Sequence, residues 1–292
     1  MQEIFTSPPS SGCDCGLSPR PRVKHGVTSS WKSGFTLIEL SIVLIIISAI
    51  IGVVLLGRDL IKAATIRAQI AQIQSYRGAV DIFEEKYDYL PGDIAAAKAA
   101  EMGFTTRSGA QYHGDGDGQV VQGCGTVSLG CENALFWNDL SSAKLIDKSF
   151  TTATDALVTA AAGTVGSYEP EGKLTGNYIE VQYDNSAYGY TSVDSNIFLL
   201  IGATSYAAGL RSHVKIITPQ DALSIDSKMD DGLPYFGNVL NWSGAAAPAA
   251  GVCVSNASGN PYNTTTNTYA NTPACVFIGF KFNTNKRRTL TN

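Results

Sequence analysis

The sequence predicts an α+β protein in which one long N-terminal helix packs on a β-rich globular head. Two observations predict it. An uncharged apolar run from Leu40 to Gly57 has the length of a membrane span and continues without a break into an amphipathic stretch. Beyond Leu90-Pro91-Gly92, which stops that stretch, short alternating or apolar runs of strand length dominate the chain.

The amphipathic stretch has apolar residues at spacings of three and four, so they share one helix face. They are Ile66, Ile70, Ile73, Tyr76, Val80, Phe83 and Tyr87. One helix is therefore expected from Phe35 to about Tyr89, on the order of 80 Å long. Its first half is apolar on every side, and its second half has a single face to lay on the head. A signal-anchor with a plain stalk helix fits this pattern too.

Basic residues precede the apolar run. Arg20, Arg22, Lys24 and Lys32 have no acidic residue among them. Because basic flanks stay in the cytoplasm, the N-terminus is expected inside and the bulk of the chain exported. The whole chain has a net charge of −4, so no global attraction to nucleic acid is expected.

The motif at the start of the run is Gly34-Phe35-Thr36-Leu37-Ile38-Glu39-Leu40. With its basic flank and apolar sequel, it resembles the cleavage and methylation motif of prepilins, the family of type IV pilins, type II secretion pseudopilins and competence pseudopilins. The resemblance implies cleavage after Gly34 by a prepilin peptidase, methylation of the Phe35 amine, and assembly with other pilin or pseudopilin subunits at an inner-membrane platform. It divides the chain into a leader (1–34), an assembly half-helix (35–57), an amphipathic half-helix (58–90) and an exported head (91–292).

The leader is long for this family and contains four prolines, so a start downstream, for example at Val23 or Val27, is an open alternative. Within the motif, Glu39 is an ionisable group at the edge of an apolar span, which is expensive without a partner. The Phe35 amine of a neighbouring subunit is the expected partner in a fibre. A Glu that merely marks the end of the span is the simpler alternative.

Of the six cysteines, two lie upstream of the apolar run and four lie downstream of it. Cys13 and Cys15 fall in the leader. The others fall in the head, where an exported domain is oxidised. Of the three possible pairings, sequence proximity favours Cys124–Cys131 and Cys253–Cys275. Neither pair has the spacing of a zinc knuckle, so disulfides are favoured over metal.

An Asp-rich turn follows a short helix expected at 94–101. Asp115 and Asp117 alternate with glycines, resembling the front half of a calcium loop. If His113 is position one of such a loop, position twelve is Cys124 and not the usual Glu. Glu132 is therefore the expected remote ligand, and a plain Gly-Asp surface turn is the alternative. The only cofactor that the sequence suggests is therefore Ca²⁺.

The remaining elements are expected to be a helix at 132–143, strands at 178–183, 196–201, 214–217 and 275–282, and a helix at 218–231. Thr218 should cap that last helix, with Pro219 at its first position. It carries several acidic residues, which fit a solvated face better than a cation site. Two of them oppose the helix dipole at its C-terminal end, so a local partner is expected.

The expected function is that of a structural subunit of a type IV pilus or type II secretion pseudopilus. The head would lie in the periplasm of a bacterium, or outside the cell once in a pilus. A membrane-anchored adhesin, a minor pilin or a DNA-uptake pseudopilin with a binding role is the alternative. An enzyme is not expected, because no nucleophile elbow, zinc-binding His pair or phosphate loop occurs.

Overall fold

A computed structural model describes residues 34–107, 113–121, 132–150, 166–174, 176–184, 195–207, 210–214, 216–242, 253–254, 261–264, 273–275 and 277–282. Two compact units divide the chain, residues 1–54 and residues 55–292. Helix α1 (Leu37–Tyr87) begins in the first unit, and all the other elements belong to the second.

The chain is an α+β protein with a long apolar N-terminal helix and an antiparallel sheet. Three shorter helices follow α1: α2 (Ala96–Met102), α3 (Glu132–Ser142) and α4 (Pro219–Met229). The strands are β1 (Asn177–Asp184), β2 (Ser195–Ala207), β3 (Leu210–Val214), β4 (Val239–Trp242) and β5 (Phe277–Phe282). Their order in the sheet is β1-β2-β5-β4, and β3 pairs with β2.

The second half of α1 packs on the core of the second unit by the predicted face. Ile66, Ile73, Val80 and Phe83 are buried, and the other members of that face are partly buried against the same core: Ile70, Tyr76 and Tyr87. The helical spacing is thereby confirmed. One polar residue, Gln69, is also buried, and its Oε1 accepts the backbone N–H groups of Lys173 and Leu174.

The core face of the sheet is built from matched apolar positions on neighbouring strands. Val181 of β1 lies opposite Phe198 of β2, and Phe198 lies opposite Phe280 of β5. Aromatic rings of α1 and α3 meet this face: the centroids of Tyr76 and Trp137 are 4.9 Å apart, and those of Trp137 and Phe198 are 6.0 Å apart. Aromatic pairs at this separation stabilise a core beyond their buried area.

Two strand predictions need correction. The strand expected at 214–217 ends at Val214, and Ile217 instead forms an isolated bridge with Cys275, because that part of the chain turns toward the cap of α4. Strand β4 was not predicted. Its four residues are too few to show an alternation of apolar and polar side chains. They form a strand because they pair with β5.

The described cysteine pair is a disulfide. Cys253 and Cys275 are bonded, and both are fully buried, so the predicted pairing at this end of the chain is confirmed. Cys124 and Cys131 lie outside the described residues. The bond joins the segment after β4 to the segment before β5, and its two cysteines are 22 residues apart in the sequence.

Helix α4 begins as predicted and ends early. The Thr218 hydroxyl accepts the N–H of Asp221 at 3.1 Å, and Pro219 occupies the first turn, as the sequence indicates. The helix ends at Met229 and not at Asp231, with Asp230 at its C-terminal cap. The cause is that Asp230 turns its carboxylate to the backbone N–H groups of Asn238 and Val239.

Candidate functional site

Helix α1 begins with a reciprocal cap. The Thr36 hydroxyl accepts the N–H of Glu39 at 3.3 Å, while a Glu39 carboxylate oxygen accepts the Thr36 N–H at 2.8 Å and the Thr36 hydroxyl at 2.9 Å. This is a capping box, in which two side chains satisfy backbone N–H groups that the first helical turn leaves free. The Thr-x-x-Glu spacing could have revealed it in the sequence. Glu39 therefore has a partner within its own chain.

The residues after this cap are apolar and exposed. Eighteen-residue windows of α1 reach a mean hydropathy of 3.0 with none of their residues buried in the structure. In the described part of the chain, α1 alone is long and apolar enough to cross a membrane. An apolar surface of this extent on a single helix requires a covering of lipid or of protein.

In the head, three carboxylates from separate parts of the chain converge. Asp93 follows α1, Asp115 lies in the Asp-rich turn, and Glu132 begins α3; one oxygen of each lies within 4.8 Å of the others. Asp93 and Glu132 are buried and Asp115 is exposed. Carboxylate oxygens are the ligands that calcium prefers. The structure thus brings Asp115 and Glu132 together, as predicted, and adds Asp93.

Asp117 is not a member of this cluster. Its Oδ1 accepts the backbone N–H of Gln119 at 2.8 Å, two residues on, as in a local Asx turn. The resemblance to a calcium loop predicted that Asp115 and Asp117 point to one centre. In the structure, the carboxylates that lie beside Asp115 are those of Asp93 and Glu132. Calcium binding by this cluster stays a prediction.

Backbone N–H groups of the Asp-rich turn wrap the two buried acids. The Asp93 oxygens accept the N–H groups of Gly116 and Gly118, both at 2.7 Å. Glu132 accepts those of Gly114 at 3.0 Å and Val121 at 2.9 Å. The turn therefore follows a path set by its hydrogen bonds to the two acids.

A fully buried ion pair lies behind this turn. Arg107 contacts both oxygens of Asp139, at 2.9 and 3.1 Å, and neither side chain is exposed to solvent. Asp139 also accepts the N–H of Gly92 at 2.7 Å, while Arg107 donates to the Gly92 carbonyl at 3.0 Å. Gly92 directly precedes Asp93, so the ion pair fixes the backbone that positions the Asp93 carboxylate.

Two glycines allow this close packing. Both have positive φ, at +85° for Gly92 and +78° for Gly114. A Cβ at Gly92 would lie 2.1 Å from the Glu132 carbonyl oxygen, and one at Gly114 would lie 2.3 Å from Cδ of Arg107. Any other residue at either position would push apart the elements that carry the three acids.

Sequence reasoning missed Arg107, Asp139 and Asp93. Leu90-Pro91-Gly92-Asp93 signalled a turn, but nothing local indicates that Asp93 meets a turn more than 20 residues later.

The acidic residues at the end of α4 were predicted to have a local partner, and the structure shows which groups these are. Asp226, Asp230 and Asp231 also have oxygens within 4.8 Å of one another, but backbone N–H groups of the following turn occupy them, which supplies the local partner that the helix dipole required.

Comparison of the chain with protein-family models, with curated proteins and with solved structures finds no match in any of the three. Function is therefore inferred from the chain's own residues.

The paired acids make the head sensitive to pH. Burial raises the pKa of Asp93 to about 7 and that of Glu132 to about 8, and the charge of Asp93 adds to the effect on Glu132. The folded head therefore keeps protons that the unfolded chain loses above about pH 4. Without a divalent cation, the free energy of unfolding should fall as pH rises from 5 to 8, by at most about 1.4 kcal/mol per pH unit for each acid.

Urea unfolding of the full chain in detergent, at several pH values with chelator and with calcium, measures this slope. Asp93→Asn with Glu132→Gln should flatten it, whereas Asp117→Asn, outside the cluster, should leave most of it. If calcium occupies the cluster, it should flatten the slope in the wild-type chain and not in the double variant. A wild-type slope near zero with chelator would contradict the expected protonation.

Proposed function

We propose that the chain is a type IV pilin-like subunit that acts by polymerising and not by catalysis. The observation that carries the proposal is the exposed apolar run of α1. This run begins at Leu40, directly after Gly34-Phe35-Thr36-Leu37-Ile38-Glu39. An apolar helix of this length is stable in lipid, and it is equally suited to pack among copies of itself. A prepilin uses both environments in turn, first the membrane and then the fibre.

The amphipathic half of the helix supports the same proposal. From Ile66 to Phe83 its apolar face is buried in the core, with Tyr76 against Trp137 of α3 and Phe198 of the sheet, so this half is anchored in the head, while none of the apolar eighteen-residue window of α1 is buried. The buried Cys253–Cys275 disulfide is consistent with a head that is exported to an oxidising compartment. In this proposal the N-terminus stays in the cytoplasm and the head lies in the periplasm or on a fibre.

Glu39 is proposed to select the neighbouring subunit. In the membrane-bound precursor the capping box satisfies its carboxylate locally. Cleavage after Gly34 creates a cationic amine on Phe35, and methylation keeps that charge. When apolar helices pack and exclude water, an isolated carboxylate is costly, so the amine of a neighbour stabilises it and sets the stagger between subunits.

Processing gives the direct test. A prepilin peptidase co-expressed with the full chain should cut between Gly34 and Phe35, and mass spectrometry should find a mature chain that begins with a methylated Phe35. Gly34→Leu should leave the uncleaved precursor in the membrane, whereas Ser33→Leu, one residue away, should be cleaved. A mature N-terminus beyond Leu56 would mean ordinary signal-peptide cleavage and would exclude the proposal.

A further inference from the structure

The structure describes the two ends of the Cys253–Cys275 segment and its residues 261–264, and the segment is bonded to a residue before α4 at one end and to itself at the other. At one end, the N–H of Cys275 donates to the carbonyl of Ile217, just before α4. At the other, the N–H of Asn263 donates to the Cys253 carbonyl, and Val254 forms a bridge with Tyr262. These contacts bring Tyr262 beside the disulfide and direct its ring into the core.

The Tyr262 hydroxyl ends on a buried acid. It donates to Oδ2 of Asp226 at 2.6 Å, and both residues are buried. The other oxygen of Asp226 accepts the N–H of Gly232 at 3.0 Å, in the turn that follows α4. One carboxylate therefore joins the disulfide segment, α4 and the turn after it.

The charged groups that act on Asp226 are Asp230 and Asp231, both at the end of its own helix. The neighbouring elements supply neutral donors to Asp226, which are the Tyr262 phenol and the Gly232 amide of the turn, while the cation Arg77 of α1 acts on Asp230. An ionised Asp226 would therefore be buried next to two like charges. Neutral hydrogen-bond donors would be its compensation.

We propose that the Tyr262–Asp226 hydrogen bond is a pH-sensitive latch that holds residues 261–264 against α4, firmly at acidic pH and more loosely as pH rises. Burial raises the pKa of Asp226 to about 6, although the bonds from Tyr262 and Gly232 act against the rise. The closed latch keeps a proton that the open form loses nearer pH 4. The form in which this bond is made therefore loses stability, relative to the form in which it is broken, between about pH 4 and 6. Above about pH 6 its relative stability stays at the lower value.

The turn after α4 would carry the effect to the surface. Asp230 accepts the N–H groups of Asn238 and Val239, which lead into β4. The same turn exposes two apolar side chains, Leu233 at 38% and Phe236 at 53%. A weaker bond at Asp226 is therefore expected to loosen the turn that exposes Leu233 and Phe236. The latch lies wholly within the head, so it does not depend on whether the chain polymerises.

Hydrogen–deuterium exchange of the full chain in detergent tests the latch. The measured quantity is the protection factor, corrected for intrinsic exchange, of peptides that contain Asn263 and Gly232. Protection should fall about tenfold between pH 4.5 and 7. In the Asp93→Asn, Glu132→Gln background, which removes the pH dependence expected from that pair, Asp226→Asn cannot ionise and should make protection independent of pH, while Asp147→Asn, an exposed acid elsewhere, should behave like that background.

Asp231→Asn provides an independent test that retains Asp226. Because the charge of Asp231 raises the pKa of Asp226, its removal should move the midpoint of the protection change to lower pH. Protection at Asn263 that is equal across this range in the wild-type chain would overturn the latch. So would a pH dependence that survives Asp226→Asn in the Asp93→Asn, Glu132→Gln background, or a midpoint that Asp231→Asn leaves in place.

Discussion

Glu39→Gln is expected to leave cleavage after Gly34 intact and to abolish assembly of the chain into fibres. The substitution keeps the size of the side chain and removes its charge. In the proposed function, the peptidase recognises the motif around Gly34, whereas packing of the apolar half-helix among copies requires a partner for the Phe35 amine. A buried ion pair that loses one member typically costs about 3–5 kcal/mol, which is repeated at every subunit of a fibre.

The capping box makes a matched control available. Thr36→Val keeps the charge of Glu39 but removes the hydroxyl that bonds with it, and loss of a cap costs only about 1 kcal/mol. Thr36→Val should therefore still form fibres, in reduced amount. The measurements are mass spectrometry of the mature N-terminus and quantification of sheared fibres.

These variants separate the two roles of Glu39. If both assemble equally poorly, the carboxylate serves the helix cap and not the neighbouring subunit. If Glu39→Gln assembles normally, apolar packing alone sets the stagger, and the electrostatic part of the proposal fails while the pilin-like assignment survives through the processing test.

Breaking the Arg107–Asp139 pair is expected to produce the largest loss of stability in the head. Both side chains are fully buried, and between them they bond the N–H and the carbonyl of Gly92. Arg107→Met or Asp139→Leu leaves a buried charge and a backbone group of Gly92 uncompensated. Each should lower the free energy of unfolding by about 3–5 kcal/mol, measured by urea unfolding of the full chain in detergent.

The chain also contains an exposed ion pair for comparison. Lys98 and Glu101 of α2 are 2.7 Å apart, with about half or more of each side chain exposed. Lys98→Met should cost less than about 1 kcal/mol, because water and salt screen such pairs. An Arg107→Met variant as stable as Lys98→Met would show that the buried pair contributes little.

The double variant Arg107→Met, Asp139→Leu should be less destabilised than the sum of the single variants, because no charge is then left alone. It should nevertheless remain below the wild type, since Gly92 loses its partners. Its pH slope should also weaken, because Gly92 no longer aims Asp93 at Glu132. A double variant with the full wild-type slope would show that the acids find their positions without the ion pair.

The long helix was predictable because its signal is local. Eighteen uncharged residues and then apolar residues at spacings of three and four specify a helix whatever packs against it. The Thr218 cap of α4 and the strand around Ile179 and Val181 were found for the same reason. Strand β4 was missed because its four residues become a strand only through their partner β5.

The candidate sites divide along the same line. The sequence by itself determined the apolar helix, the motif at its start and the Asp-rich turn, and it favoured the pairing of Cys253 with Cys275 that the structure contains. Only the tertiary structure decided that Asp93 replaces Asp117 beside Asp115, that Arg107 meets Asp139, and that Tyr262 reaches Asp226. Hydrophobic periodicity is set by neighbours along the chain, whereas a buried polar contact is set by which distant segments folding brings together, and no spacing in the sequence encodes that distance.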